Sequence, residues 1–278
     1  METQVEEEPD LWGRDKFLDI GQERISYDAF YGARKPAVLY LPAFDAPSHD
    51  LKASRLKTYC EMEDHSFISM EWYGRGSSTG EFEKGTISRW KADAMTLIKA
   101  LLPEYGEGAI IVGGGVGAWI ATLIALDMPD KVGGIVGLAA DPDFTENLLM
   151  RYLPKAKIDE IFENGVATIT WGQATYPVSK ALIEDARKNL VLEGEAGGLP
   201  IRCPVRLVHG LDDEEVPYTV SLDLCRRLES ENVNLHLVKT ANHHLDGLYI
   251  LQVVVSSLKE CLAAYSPPPM RTLPSQTF

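Results

Sequence analysis

Six short runs of almost unbroken apolar residues limit what this chain can fold into. They are Ala37–Leu41, Ser66–Trp72, Ala109–Val112, Gly134–Ala140, Val205–His209 and Leu235–Val238. Runs this short, without polar alternation, suit strands covered on both faces. Helical segments separate them over Ile87–Leu102, Val116–Leu126, Val220–Glu229 and Leu248–Tyr265. Such alternation predicts an α/β fold with a doubly wound, mostly parallel sheet.

One interval breaks the rhythm. Residues 142–203 lie between the fourth and fifth runs, far more chain than a crossover requires. They hold the apolar stretches Ile158–Phe162 and Ala167–Trp171 and a predicted helix near Ser179–Leu192. We read the interval as a cap inserted over the sheet's carboxyl edge, where open α/β sheets place their ligands. The core is then expected over residues 11–141 and 204–265. Residues 1–10 read as a solvated acidic tail and residues 266–278 as a Pro-rich one.

Three clusters follow predicted strands. The first is Gly113-Gly114-Gly115-Val116-Gly117-Ala118-Trp119, a tight turn entering a helix. The second is His209-Gly210-Leu211-Asp212-Asp213-Glu214-Glu215-Val216-Pro217. The third is Asn242-His243-His244-Leu245. Strand–turn–helix, then an acid, then a histidine is the chain order of an α/β-hydrolase triad, and the chain resembles that family over about residues 25–265. Tyr40-Leu41-Pro42-Ala43-Phe44 sits where the family places its oxyanion-hole loop. Glu71-Trp72-Tyr73-Gly74-Arg75-Gly76-Ser77-Ser78 is similar to the family's D-x-x-G-x-G-x-S turn, with Glu for Asp. More narrowly, Thr86–Trp90, the Gly-Ala-Trp after the turn, and Trp171 with Tyr176 look like the acyl-glucuronide esterase and depalmitoylase branch.

The resemblance implies roles. Asp213 would orient His243, the general base and acid. The Val116 and Phe44 N–H groups would polarise a substrate carbonyl. Trp171, Tyr176 and Asp141 would line the pocket. Asp212 and His244 are neighbouring rivals for acid and base, His209 is expected to be structural, and Asp143 follows the fourth run beside Asp141. The implied partner is a small acyl, ester or lactone-like molecule, with no cofactor and no metal.

The departure lies at Gly115. A nucleophile elbow reads G-x-S-x-G, and here the serine position is glycine. Ser77 and Ser78 follow a different strand and read as turn residues; Cys203 stands at the wrong end of its strand. Three classes stay open. The chain is a serine hydrolase that lost its nucleophile, a ligand-binding pseudoenzyme, or a non-hydrolytic lyase, cyclase or isomerase using His243 and Asp213. A water held by His243 is a further option. The same glycines also fit a dinucleotide fingerprint, with Asp141 as its acid, but two predicted strands precede them. A P-loop is excluded, because no Gly-Lys-Ser/Thr follows.

Charge and cysteines narrow the setting. The balance of 27 basic and 41 acidic residues gives −14, which opposes nucleic acid and anionic membranes. The 4 cysteines show neither CxxC nor zinc-ligand spacing and suit a reducing compartment. No apolar stretch is long enough to span a membrane. The acidic N-terminus is neither a signal peptide nor an Arg-rich transit peptide. The expectation is a cytoplasmic protein, or an organellar one whose presequence has been removed. The oligomeric state is left open, with a dimer as one option.

Overall fold

The computed structural model describes residues 16–44, 46–102, 108–193 and 198–265. The two expected tails lie outside the described residues. The strands are β1 (Lys16–Ile20), β2 (Glu23–Phe30), β3 (Arg34–Leu41), β4 (His65–Met70), β5 (Ala109–Gly114), β6 (Val132–Leu138), β7 (Val166–Trp171), β8 (Ala174–Ser179), β9 (Val205–Gly210) and β10 (Val233–Val238). The helices are α1 (Leu51–Met62), α2 (Ile87–Leu101), α3 (Val116–Asp127), α4 (Met150–Tyr152), α5 (Lys155–Asn164), α6 (Lys180–Ala186), α7 (Thr219–Arg227) and α8 (Leu248–Ala264).

Eight strands form one sheet in the order β1-β2-β4-β3-β5-β6-β9-β10. The β1/β2 and β2/β4 pairs are antiparallel and every later pair is parallel. The expected doubly wound, mostly parallel sheet is therefore present. Alternate residues of β3 and β5 enter different cores. Val38, Tyr40, Ile110 and Val112 meet α1 and α8 through Leu56, Cys60, Val254 and Leu258. Leu39, Leu41 and Ile111 meet α2 and α3 through Trp90, Leu97 and Trp119. Burial on both faces is why these strands read as unbroken apolar runs.

Several boundaries differ from the sequence reading. Ser66–Trp72 is a strand only to Met70. Beyond it the buried Glu71 carboxylate accepts hydrogen bonds from Ser48 N and Oγ at 3.0 and 2.8 Å. The Gly134–Ala140 run is strand from Val132 to Leu138, because Ala139 turns to φ 44°. The helix near Ser179–Leu192 is only α6. Ser179 is its N-cap, and Val191 and Leu192 instead donate their N–H groups to the Asp143 carboxylate at 2.7–3.0 Å. The β1–β2 hairpin, α1 and β8 were not foreseen. β1 alternates, α1 buries a narrow stripe, and polar residues interrupt β2 and β8, so they leave no continuous apolar signal.

Within residues 142–203 a π-turn (Thr145–Leu149) leads through α4 and α5, which contains Ile158–Phe162, to the antiparallel β7–β8 hairpin and α6. Trp119 of α3 ties this interval down by donating its indole N–H to Asn189 O at 2.9 Å. Ser88 N of α2 donates to the Asp185 carboxylate at 2.8 Å. The hairpin therefore stands over the end of the sheet from which β5, β6 and β9 deliver their loops.

Candidate active site

β5 ends in a sharp turn. Gly115 sits at φ 47° and ψ −115°, with its N–H bonded to Leu138 O at 2.9 Å and its carbonyl accepting from Ala118 N at 3.0 Å. A side chain at Gly113 would strike the backbone of Gly117 and Ala118, and one at Gly117 the carbonyls of Leu41 and Pro42. Those two glycines let the helix, its own strand and the end of β3 approach closely. Gly115 is different. A Cβ there would meet only Ala43, at 3.4 and 3.8 Å. The backbone already has the left-handed form that a strained nucleophile elbow takes, and there is space for a small side chain.

The acid and the histidine come from the loops after β9 and β10. Asp213 has a fully buried side chain. Its Oδ1 accepts from Glu215 N and Val216 N at 3.0 and 2.8 Å, and its Oδ2 faces His243 Nδ1 at 3.0 Å. A carboxylate can only accept, so Nδ1 carries the proton and Nε2 is left as the basic atom. His243, Gly115, Val116, Phe44, Asp141, Trp171 and Tyr176 line one small cavity of about 40 Å³. Glu215, Phe144 and Ala43 also line it and were not foreseen. Nothing in periodicity singles them out, although Glu215 stands two residues from Asp213. The open groove of about 550 Å³ between α1 and α8, lined by Arg55, Leu248, Leu251 and Lys259, holds no such constellation.

No protein-family model matches the chain. The bovine mitochondrial palmitoyl-protein thioesterase ABHD10 is 27% identical over 235 residues, covering 82% of this chain and 74% of the relative. The solved structure of α/β hydrolase domain-containing protein 10 from mouse superposes with a TM-score of 0.79 at 24% identity, over 90% of this chain and 99% of that one. A candidate hydrolase from Agrobacterium vitis superposes with a TM-score of 0.81 at 27% identity, over 89% and 97%. The chain has the α/β-hydrolase fold. The dinucleotide reading of its glycine turn falls with that assignment.

The electrostatics of the site separate its titratable groups. Burial pushes the Asp213 carboxyl up, but hydrogen bonds from His209, His243 and Val216 N outweigh it and hold the group well below the usual carboxylate range. Burial pulls His243 down. The Asp213 hydrogen bond and the nearby charges of Asp213, Asp141 and Glu215 reverse that, leaving its imidazole above the ordinary value. Burial raises Asp141 to about 8, and the Asp213, Asp143 and Glu215 charges add to it while His243 opposes. Asp141 N lies 3.3 Å from Gly115 O, and its buried Oδ1 has no hydrogen-bond partner among the described residues.

The rivals stand elsewhere in the fold. Asp212 is exposed. His244 Nε2 is 4.0 Å from Glu215 Oε1, and its side chain is 39% exposed. His209 is buried: Nε2 donates to Val216 O at 2.9 Å and sits 3.2 Å from Asp213 Oδ2, while Nδ1 accepts from Ser221 Oγ at 2.7 Å. Ser77 is exposed, and Ser78 Oγ donates to Glu71 O at 3.0 Å while accepting from Ser26 N at 2.9 Å. Cys203 precedes β9 at its amino end, and burial pushes its thiol up to about 11. Neither these serines nor Cys203 lines the cavity. Among the described residues, no three His, Cys, Asp or Glu side chains are grouped to hold a metal ion. Among the described residues, no helix is long and apolar enough to cross a membrane.

Proposed function

We propose that this chain keeps the pocket of a carboxylic ester or thioester hydrolase without its covalent step. The observation that carries the reading is the Asp213–His243 pair, which opens on the same cavity as a glycine whose Cβ position is free. His243 acts as base and acid, and Asp213 holds its tautomer. The Val116 and Phe44 N–H groups polarise a carbonyl at the start of α3. Residues 142–203 act as the cap, with Trp171 and Tyr176 as its apolar wall.

The thioesterase relatives favour an acyl ester or thioester as ligand. A cavity of about 40 Å³ admits water but no acyl chain, so the wall must move for a substrate to enter. Without a nucleophile the expected turnover is low: removing the serine of a serine protease costs on the order of 10⁶ in kcat. The same gap favours a second reading, ligand binding or a non-hydrolytic proton transfer on His243. The mitochondrial names of the relatives favour the organellar option for location.

The test is Gly115→Ser with a fluorophosphonate probe and short p-nitrophenyl esters. Labelling and ester turnover in that variant alone support the reading. A folded Gly115→Ser protein that neither labels nor turns over ester overturns it.

A further inference from the structure

The triad account leaves one group unused. Asp141 lines the same cavity as His243, with its N–H on the Gly115 carbonyl. Its Oδ1 is sealed from solvent and bonded to nothing among the described residues. A buried carboxyl oxygen without a partner is costly, on the order of 1–3 kcal/mol or more. A purely structural aspartate would have found a donor, as Asp143 has in Val191 N and Leu192 N.

The surroundings decide its protonation. The charged groups around it are His243, Asp213, Asp143 and Glu215. Burial above all pushes the Asp141 carboxyl up to about 8; His243 opposes this, and the Asp213, Asp143 and Glu215 charges add to it. With His243 neutral and Asp141 protonated, the site offers a basic Nε2 and a carboxylic acid on the same cavity as the free space at Gly115. A cavity of about 40 Å³ exceeds the roughly 10–15 Å³ that one water requires.

We propose that Asp141 is the second proton-transfer residue of this site, a general acid that serves water-driven cleavage of an ester or thioester in the absence of a nucleophile. This rests on the ester-pocket reading above. Water attacks the carbonyl carbon while one of its protons passes to His243 Nε2, and the carbonyl oxygen becomes an oxyanion. When the C=O bond reforms, the bond to the leaving oxygen or sulfur breaks, and that atom takes the proton of Asp141. The products are a carboxylic acid and an alcohol or thiol. The pair resets when the proton on His243 returns to Asp141.

The test exploits leaving-group chemistry. An alkoxide needs the proton and a p-nitrophenolate does not. Ethyl butyrate and p-nitrophenyl butyrate are assayed, by product analysis and colour, with the unaltered chain and with Asp141→Asn. Asparagine keeps the shape but has no acidic proton to give. The expected result is ethyl ester hydrolysis above the buffer blank, falling on the alkaline side near pH 8. Asp141→Asn should lower it about 100-fold, the usual worth of a general acid, and remove that limb. The p-nitrophenyl ester should lose several-fold less than the ethyl ester, and far-UV circular dichroism with a thermal melt shows that the variant is folded. The proposal is overturned by equal losses on both esters, by an unchanged ethyl ester profile, or by no hydrolysis in the unaltered chain. In the last case labelling of Gly115→Ser still upholds the pocket reading, so the two fail separately.

Discussion

His243 Nδ1 lies 3.0 Å from Asp213 Oδ2, joining the loop after β10 to the loop after β9 across 30 residues of chain. The contact places an acceptor-only carboxylate behind the imidazole and leaves the other ring nitrogen toward the cavity. Asp213 also accepts two backbone N–H bonds and lies 3.2 Å from His209, so it is bound into the fold as well as into the site.

Asp213→Ala should therefore destabilise the chain by about 2–4 kcal/mol, because it strips partners from buried donors. The sign with pH follows from its lowered carboxyl. Its contribution is present above the ordinary aspartate pKa of about 3.9 and is lost as pH falls toward the folded value. Urea melts of both proteins at about pH 7 and pH 3.5 check this. The gap should shrink at the lower pH.

Asp141 predicts the opposite sign. An unfolded aspartate loses its proton near pH 3.9, while the folded one holds it to about 8. Between those values the folded state binds more protons, so stability from this group falls as pH rises. Asp141→Asn should raise Tm by several degrees at about pH 8.5 and hardly at pH 4.5, with each kcal/mol worth about 2–4 °C. Scanning calorimetry at both values gives the comparison. Equal shifts would show that the site does not load this carboxyl.

The elbow glycines differ in what they tolerate. Gly117→Ala drives a Cβ into the carbonyls of Leu41 and Pro42 and should cost more than about 3 kcal/mol. Gly115→Ala meets only Ala43 at 3.4 Å, but forces an L side chain into φ 47°, at about 1–2 kcal/mol. Chemical denaturation ranks them. A Gly117→Ala protein as stable as Gly115→Ala contradicts the packing described for this turn.

The apolar wall should set acyl length. Tyr176 lies 4.8 Å from Phe44, ring centre to ring centre, in a cluster that includes Phe82, Trp90 and Phe144. In Gly115→Ser, p-nitrophenyl acetate should be preferred over the octanoate. Tyr176→Ala in that background should shift kcat/KM toward the longer ester by about tenfold, the scale of a few buried methylenes. An unchanged preference would remove Tyr176 from the pocket wall.

The fold class was legible because strands buried on both faces carry an unbroken apolar signature, as β3 and β5 do. β1 alternates between half-buried and exposed residues, and Ser26 and Asp28 of β2 and Thr175 and Pro177 of β8 interrupt any apolar run. Asp213 is preferred over Asp212 because the His209–Pro217 stretch is similar to the acid turn of the α/β-hydrolase family. His243 could be preferred over His244 only through the family resemblance, and its contact with Asp213 supports that choice.

The sequence by itself determined the sheet, the order of turn, acid and histidine, and the absence of a serine at position 115. Those are properties of local pattern and residue type. Only the tertiary structure decided that Asp141 Oδ1 has no hydrogen-bond partner among the described residues, that Glu215 and Phe144 help close the cavity, and that Gly115 has free space while Gly113 and Gly117 have none. Burial and proton affinity depend on every atom nearby, and those atoms come from segments far apart in the chain.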